Sequence, residues 1–433
     1  MAWGDRLGER RWTARRRAMA IAALALASLA ATPAAGADAS GKVVGLLAGA
    51  AMLAIAWYTF ANYLAPVADD PDSGFRAALV ILAMIAVVKL AVLPFFPGFA
   101  TDVSSYEAWA GQIASLGPAR TYQEGYFLDY PPGYLYALWM AGVIANLLGA
   151  SGDFLRVIVE SPAIVADLAL ALLMFVFVRR DGRSSTLALA AMLLIALNPA
   201  LLFDTVVWGQ SDSVPAFTML LSVIAILSSQ FELCWAIAAI SVLVKPQGLM
   251  LVPVLALYTL FESDWRVWIS SAVSFVAIAI IGIAPFQIGH HWNWIIDLYT
   301  STAAYYHETS VNAFNLMALL GGVRQADSDT IAGVSYFALG MSALVPLYLY
   351  VTWMLWRGRS ARRLMFASFI TIFGFFMLAP RMHERYLYPA LVFAAPLALE
   401  SATMMTVFAI LSVTCLFNLW YVLHTLNTVV FMD

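Results

Sequence analysis

Charge is what this sequence has least of. Asp, Glu, Lys and Arg make up 11% of its 433 residues, against roughly 25% in soluble domains. That deficit excludes an ordinary water-soluble globule. Repeated apolar runs of about 20 residues read instead as a polytopic helical membrane protein. The net charge of −3 offers no general attraction to nucleic acid or anionic lipid; the apolar runs are what make membrane lipids the expected surroundings. Cysteine is almost absent: Cys234 and Cys415 both sit in apolar runs, which rules out a disulfide framework. The chain also lacks His-Glu-x-x-His, Cys-x-x-Cys, a Walker loop and an Asp-x-Asp with nucleotide-sugar context. Metalloprotease, redox-dithiol and nucleotide-driven reactions therefore have no sequence support. His290 and His291 are adjacent and point apart on a regular element, which makes a poor metal pair.

What the chain does have is helix-length hydrocarbon. An arginine cluster (Arg6, Arg10, Arg11, Arg15, Arg16, Arg17) precedes an Ala/Leu run and a small-residue stretch, so residues 1–40 read as a signal-like segment or a first helix. Further spans are expected at 43–65, 77–97, 157–178, 184–203, 212–229, 231–245, 247–262, 266–287, 331–356, 363–379, 386–399 and 402–424. The fold class is all-α, with about twelve or thirteen transmembrane helices and residues 41–433 forming a single module. Basic loops lie on the cytoplasmic side. The clusters at 6–17, 179–183 and 357–363 share that side only if 134–150 does not cross the bilayer. Residues 98–156 then form a large first external loop with two interfacial helices, about 107–116 and 133–149, and 288–330 forms a second external loop.

The external side collects the polar residues. Asp102 follows a span and could act as a general base toward a hydroxyl or cap the helix after it. Asp129-Tyr130-Pro131-Pro132 opens the second interfacial helix, so Asp129 is either a cap or a contact for a substrate hydroxyl. Asp204, Trp208, Gln210 and Asp212 fall within nine residues. They either wet the interface or bind a sugar, with Trp208 as a stacking ring. Lys245 interrupts a long apolar run beside Pro246, so it either has a function or snorkels. Arg381, His383 and Arg385 suit a phosphate, with a salt-bridge network to Glu384 as the alternative.

In order, these motifs resemble the membrane-embedded GT-C glycosyltransferases that use polyprenyl-phosphate sugars. Narrower likenesses are to dolichyl-phosphate-glucose glucosyltransferases and to bacterial proteins related to GPI mannosyltransferases. The pieces that carry the resemblance are Asp102 with Tyr106-Glu107-Ala108-Trp109; Leu128-Asp129-Tyr130-Pro131-Pro132; Asn198-Pro199 with Gly209-Gln210-Ser211-Asp212-Ser213; Lys245-Pro246-Gln247; and His383-Glu384-Arg385. The family's His-Glu-Lys appears as His383-Glu384-Arg385, and its Gln-x-Asn as Gln210-Ser211-Asp212.

The resemblance implies an inverting transfer of a hexose, mannose or glucose, at the periplasmic face of a bacterial inner membrane. Asp102 would be the base. Arg381, His383, Arg385 and Lys245 would hold the donor phosphate. Glu107, Asp129, Tyr130, Trp208, Gln210 and Asp212 would contact sugar or acceptor. The expected partners are a polyprenyl-phosphate sugar and a glycan, glycolipid or protein acceptor. No cofactor is expected, because fixed cations can stabilise an anionic leaving group in place of a metal. The rival readings are a polymerase or ligase of lipid-linked glycans and a transporter or flippase.

Overall fold

The computed structural model describes residues 71–429. The expected N-terminal segment and the span at 43–65 lie outside the described residues. The described residues are 78% helical, and the strands among them are two antiparallel pieces of two residues each, Thr330–Ile331 and Val334–Ser335. This is an all-α membrane protein, as its composition requires.

Among the described residues, six helices are long and apolar enough to cross a bilayer, or seven if the bent pair Ser185–Ala196 and Pro199–Trp208 counts as one. That is fewer full-length spans than expected. Part of the shortfall is the segment outside the described residues. The rest lies in helices such as Ser213–Leu227 and Phe231–Val244, of 15 and 14 residues. At 1.5 Å per residue they fall short of a hydrocarbon core about 30 Å thick.

The described chain resolves into two compact units that interleave in sequence. The first unit holds Pro71–Val92, the helical stretch 163–180, the bent pair and Ala402–Val429. Lys89 and Asp167 form a buried ion pair within it, each side chain 1% exposed. The chain bends by 45° between Ala196 and Pro199, runs through a π-helical turn, Phe203–Trp208, and leaves it at Gly209 with φ 87°, a backbone setting that glycine adopts without a Cβ penalty. That turn directs Trp208 inward, where it is 1% exposed.

The second unit contains residues 101–162 and 211–394. Its first helix, Ala100–Leu116, carries Asp102 in the opening turn, where the helix dipole favours a carboxylate. The next, Pro132–Leu148, starts with Pro132 in the first turn and stops at Gly149 in the left-handed region, following the usual proline-in, glycine-out asymmetry. These are the two short helices expected of the first loop. They pack through Tyr106, Trp109, Ile113, Tyr134, Leu135 and Leu138 into one buried aromatic-aliphatic core. Gly133 is needed for a close approach: a Cβ there would lie 2.6 Å from the Leu243 carbonyl carbon. Helix Phe231–Val244 ends because Pro246 disfavours helical geometry at Lys245, which adopts φ −151° and ψ 144°.

Candidate active site

In the second unit a cavity of about 440 Å³ opens between residues 129–131, 245–250, 299–306, 337–341, 375 and 379–386. Its wall has two characters. Asp129, Lys245, Arg381, His383 and Arg385 supply charged and polar lining, and Leu249, Met250, Phe337, Met341 and Phe375 supply hydrocarbon. A ligand with an anionic group joined to an apolar chain matches both at once.

The charged part is built as a network. Asp212 Oδ2 accepts from Lys245 Nζ at 3.0 Å, and Oδ1 accepts from Gln247 Nε2 at 3.0 Å. Arg385 Nε lies 3.8 Å from Asp212 Oδ2, a charge contact longer than a hydrogen bond. Arg385 Nη1 donates to Glu384 Oε1 at 2.8 Å. Lys245 Nζ also sits 5.2 Å from the Tyr130 ring centroid, within cation–π range. The Tyr130 hydroxyl lies 2.7 Å from that of Tyr106, which in turn is 3.3 Å from Ser211 Oγ. One polar chain thus links the first helix of the loop to the cavity wall.

Electrostatics bind the network further. Burial pushes the Asp129 carboxyl up, with the nearby Asp102 charge adding to the rise and Arg385 and Lys245 opposing it. Burial likewise raises Glu384, against the pull of Arg385. Burial alone would lower the Arg385 guanidinium, but Glu384, Asp102 and Asp212 raise it well above its ordinary value. The His383 imidazole is held well below its usual range, first by burial and then by Arg385, Lys245 and Arg324. It is therefore neutral near pH 7, and its ring is packed by Tyr306 and Tyr386 at centroid distances of 4.7 and 5.0 Å. The Tyr306 hydroxyl is pushed up to about 12, chiefly by burial.

The residues expected from sequence therefore divide into groups. Lys245, Arg381, His383, Arg385, Asp129 and Tyr130 all line the cavity. Asp102 does not line it, yet its charge acts on Asp129, Glu384 and Arg385. Neither aspartate takes the cap position considered for it: Asp102 lies inside its helix, and Pro131 stands at the start of the next. Arg381 lines the cavity with its guanidinium already engaged. Its Nε donates to buried Asp327 at 2.6 Å and its Nη1 to the Ala303 carbonyl at 2.8 Å. Its backbone lies at φ 64°, a strained setting for a non-glycine residue.

Four expected sugar or acceptor contacts do not line the cavity. Trp208 and Gln210, each 1% exposed, are core residues of the first unit. The π-helical turn and Gly209 point them away from solvent, so the expected stacking ring is a packing ring. Glu107 is half-buried, its carboxyl raised by burial and opposed by Arg156, and it does not line the cavity. Asp212 is buried, with both oxygens turned to protein donors.

Sequence reading missed Gln247, Tyr299, Thr302, Tyr306 and Tyr386 as wall residues. Gln247 follows Lys245-Pro246 directly, and that break was the signal available for it. The tyrosines stand among many similar interfacial aromatics and carried none.

The chain matches the profile of glycosyltransferase family 87 over residues 127–380, more than half its length. It belongs to that family. Family 87 membership makes this a multi-pass membrane glycosyltransferase of the GT-C type. The match supports the resemblance at that level and not the narrower likenesses to dolichyl-phosphate-glucose or GPI-related enzymes. No curated protein matches the chain. The matched stretch includes Asp129, Lys245 and Gln247; Asp102 precedes it, and Arg381, His383 and Arg385 follow it.

Proposed function

We propose that this family 87 glycosyltransferase moves a hexose, mannose or glucose, from a polyprenyl-phosphate carrier to a hydroxyl of a glycan, glycolipid or protein acceptor. The observation that carries this reading is the mixed cavity lining, which combines the cations Lys245 and Arg385 with the hydrocarbon of Leu249, Phe337, Met341 and Phe375. The lipid phosphate pairs with the cations while the polyprenyl chain lies along the hydrocarbon. His383, as a neutral imidazole, donates a hydrogen bond rather than a charge. Arg381 adds positive potential without releasing Asp327.

Transfer is inverting. Asp102 takes the proton from the acceptor hydroxyl as its oxygen bonds to the anomeric carbon. The bond from that carbon to the phosphate oxygen breaks, its electrons stay with the leaving polyprenyl phosphate, and the cations stabilise that charge. By the positive-inside rule the site faces the periplasm of a bacterial inner membrane.

The test uses protein in lipid nanodiscs with radiolabelled polyprenyl-phosphate mannose and polyprenyl-phosphate glucose. Release or transfer of one label, with free polyprenyl monophosphate as co-product, is the expected result. Saturable binding with neither sugar released would move the donor assignment to other sugars. Failure to bind either lipid would favour a polymerase or ligase using diphosphate donors, or a transporter.

A further inference from the structure

Asp212 occupies the N-cap position of helix Ser213–Leu227, and an aspartate there ordinarily accepts a hydrogen bond from that helix's own first turn. Here it makes no such bond. Its side chain reaches across to a different part of the unit. Oδ2 accepts from Lys245 and lies near Arg385, while Oδ1 accepts from Gln247. The carboxylate is 1% exposed, so neither oxygen is open to a ligand. Lys245 and Arg385 do reach the cavity. A buried ammonium without a counter-ion loses its charge or its place, and two cations a short distance apart repel.

We propose that Asp212 is a positioning residue, touching no substrate, that keeps Lys245 charged and draws Lys245 and Arg385 together as one phosphate-binding pair. The inference rests on the reading of the cavity as a lipid-phosphate site. In it, Asp212 does through the cations what the sequence motif alone would assign to direct sugar contact.

The test is a double-mutant cycle on the full chain in nanodiscs, titrating bare polyprenyl phosphate against wild type, Asp212→Asn, Lys245→Met and the double variant. Each single change is expected to weaken binding about tenfold or more, as removal of one buried charge partner does. The double variant is expected to bind within about threefold of Lys245→Met, because without Lys245 there is no cation pair left for Asp212 to draw together. Asp212→Glu, which keeps the charge, is expected to recover most of the affinity lost in Asp212→Asn. Multiplying effects, or no recovery with Glu, would overturn the proposal while leaving the phosphate site intact. Absence of saturable binding by the wild type would overturn the phosphate reading itself, and this proposal with it. Should Asp212→Asn fail to fold alone, the double variant leaves no unpaired lysine buried, and its comparison with Lys245→Met decides the question.

Discussion

Lys89–Asp167 and Lys245–Asp212 are the same pair of functional groups in two regions of one chain. In the first unit the pair links helix Pro71–Val92 to the long helix ending at Arg180, and both side chains are sealed from solvent. In the second unit the pair forms part of a cavity wall, shares its carboxylate with Gln247, and has Arg385 and Tyr130 beside it. Both lysines interrupt apolar runs, where a charge is costly. The difference lies in what else converges on them. A sealed pair offers a ligand nothing and serves as a pin between helices. A pair beside a cavity, with a further cation at hand, offers an anion a place.

The comparison can be broken or sharpened by substitution. The largest effect is expected at Asp102, whose charge acts on the cavity network from the adjoining helix. Asp102→Asn should cut single-turnover transfer roughly a thousandfold, the scale of a lost general base, with binding of polyprenyl phosphate retained. Transfer at the wild-type rate would remove Asp102 from the mechanism.

Lys89→Met comes next. It leaves a buried carboxylate without its lysine, which costs about 3 kcal/mol or more. Thermal unfolding in nanodiscs should show a lowered Tm. The double variant Lys89→Met/Asp167→Leu should recover most of it and keep wild-type affinity for polyprenyl phosphate. A loss of affinity there would mean the sealed pair is more than a pin.

Arg385→Ala should weaken polyprenyl phosphate binding by about 2 kcal/mol or more, since it also strands Glu384 without its guanidinium. Equilibrium titration reads this directly, and unchanged affinity would assign Arg385 to Glu384 alone.

His383 gives a smaller effect with a defined sign. Its folded pKa is depressed by burial and by Arg385, Lys245 and Arg324. The unfolded chain takes up a proton in the ordinary imidazole range, near pH 6.5, and the folded protein does not until lower pH. The stability His383 contributes is thus present above that range and lost as pH falls through it. Tm measured between about pH 7 and 5 should decline less steeply in His383→Gln than in wild type; parallel declines would show that His383 is protonated in the fold.

The smallest effect is expected at Glu107, which lies by Arg156 and away from the cavity. Glu107→Gln should change transfer by less than about threefold, within the usual range for a partly exposed position. A large loss would return it to the site.

Much of this was legible in one sequence. A helix start was written in Pro132 and a helix stop in Pro246, and the existence of the long apolar helices in their hydropathy. The cavity's cations were legible too, because Lys245 and the Arg381–Arg385 cluster are costly in their surroundings and had to be explained. Roles within the cluster were not. Arg381 and Arg385 sit four residues apart and look alike in sequence, yet one is engaged by Asp327 and the other faces Asp212 and Glu384. Trp208 and Asp212 share a motif, and one became core while the other became a counter-ion.

By itself the sequence determined the solvent of this protein, its helical character and the scarcity of its charges. Those follow from hydropathy and from local backbone rules, which act over a few residues. Which acid meets which base was decided by tertiary structure alone. Asp212, Lys245 and Arg385 are far apart in the chain, and a charge's partner depends on distance and burial, which only the packed fold sets.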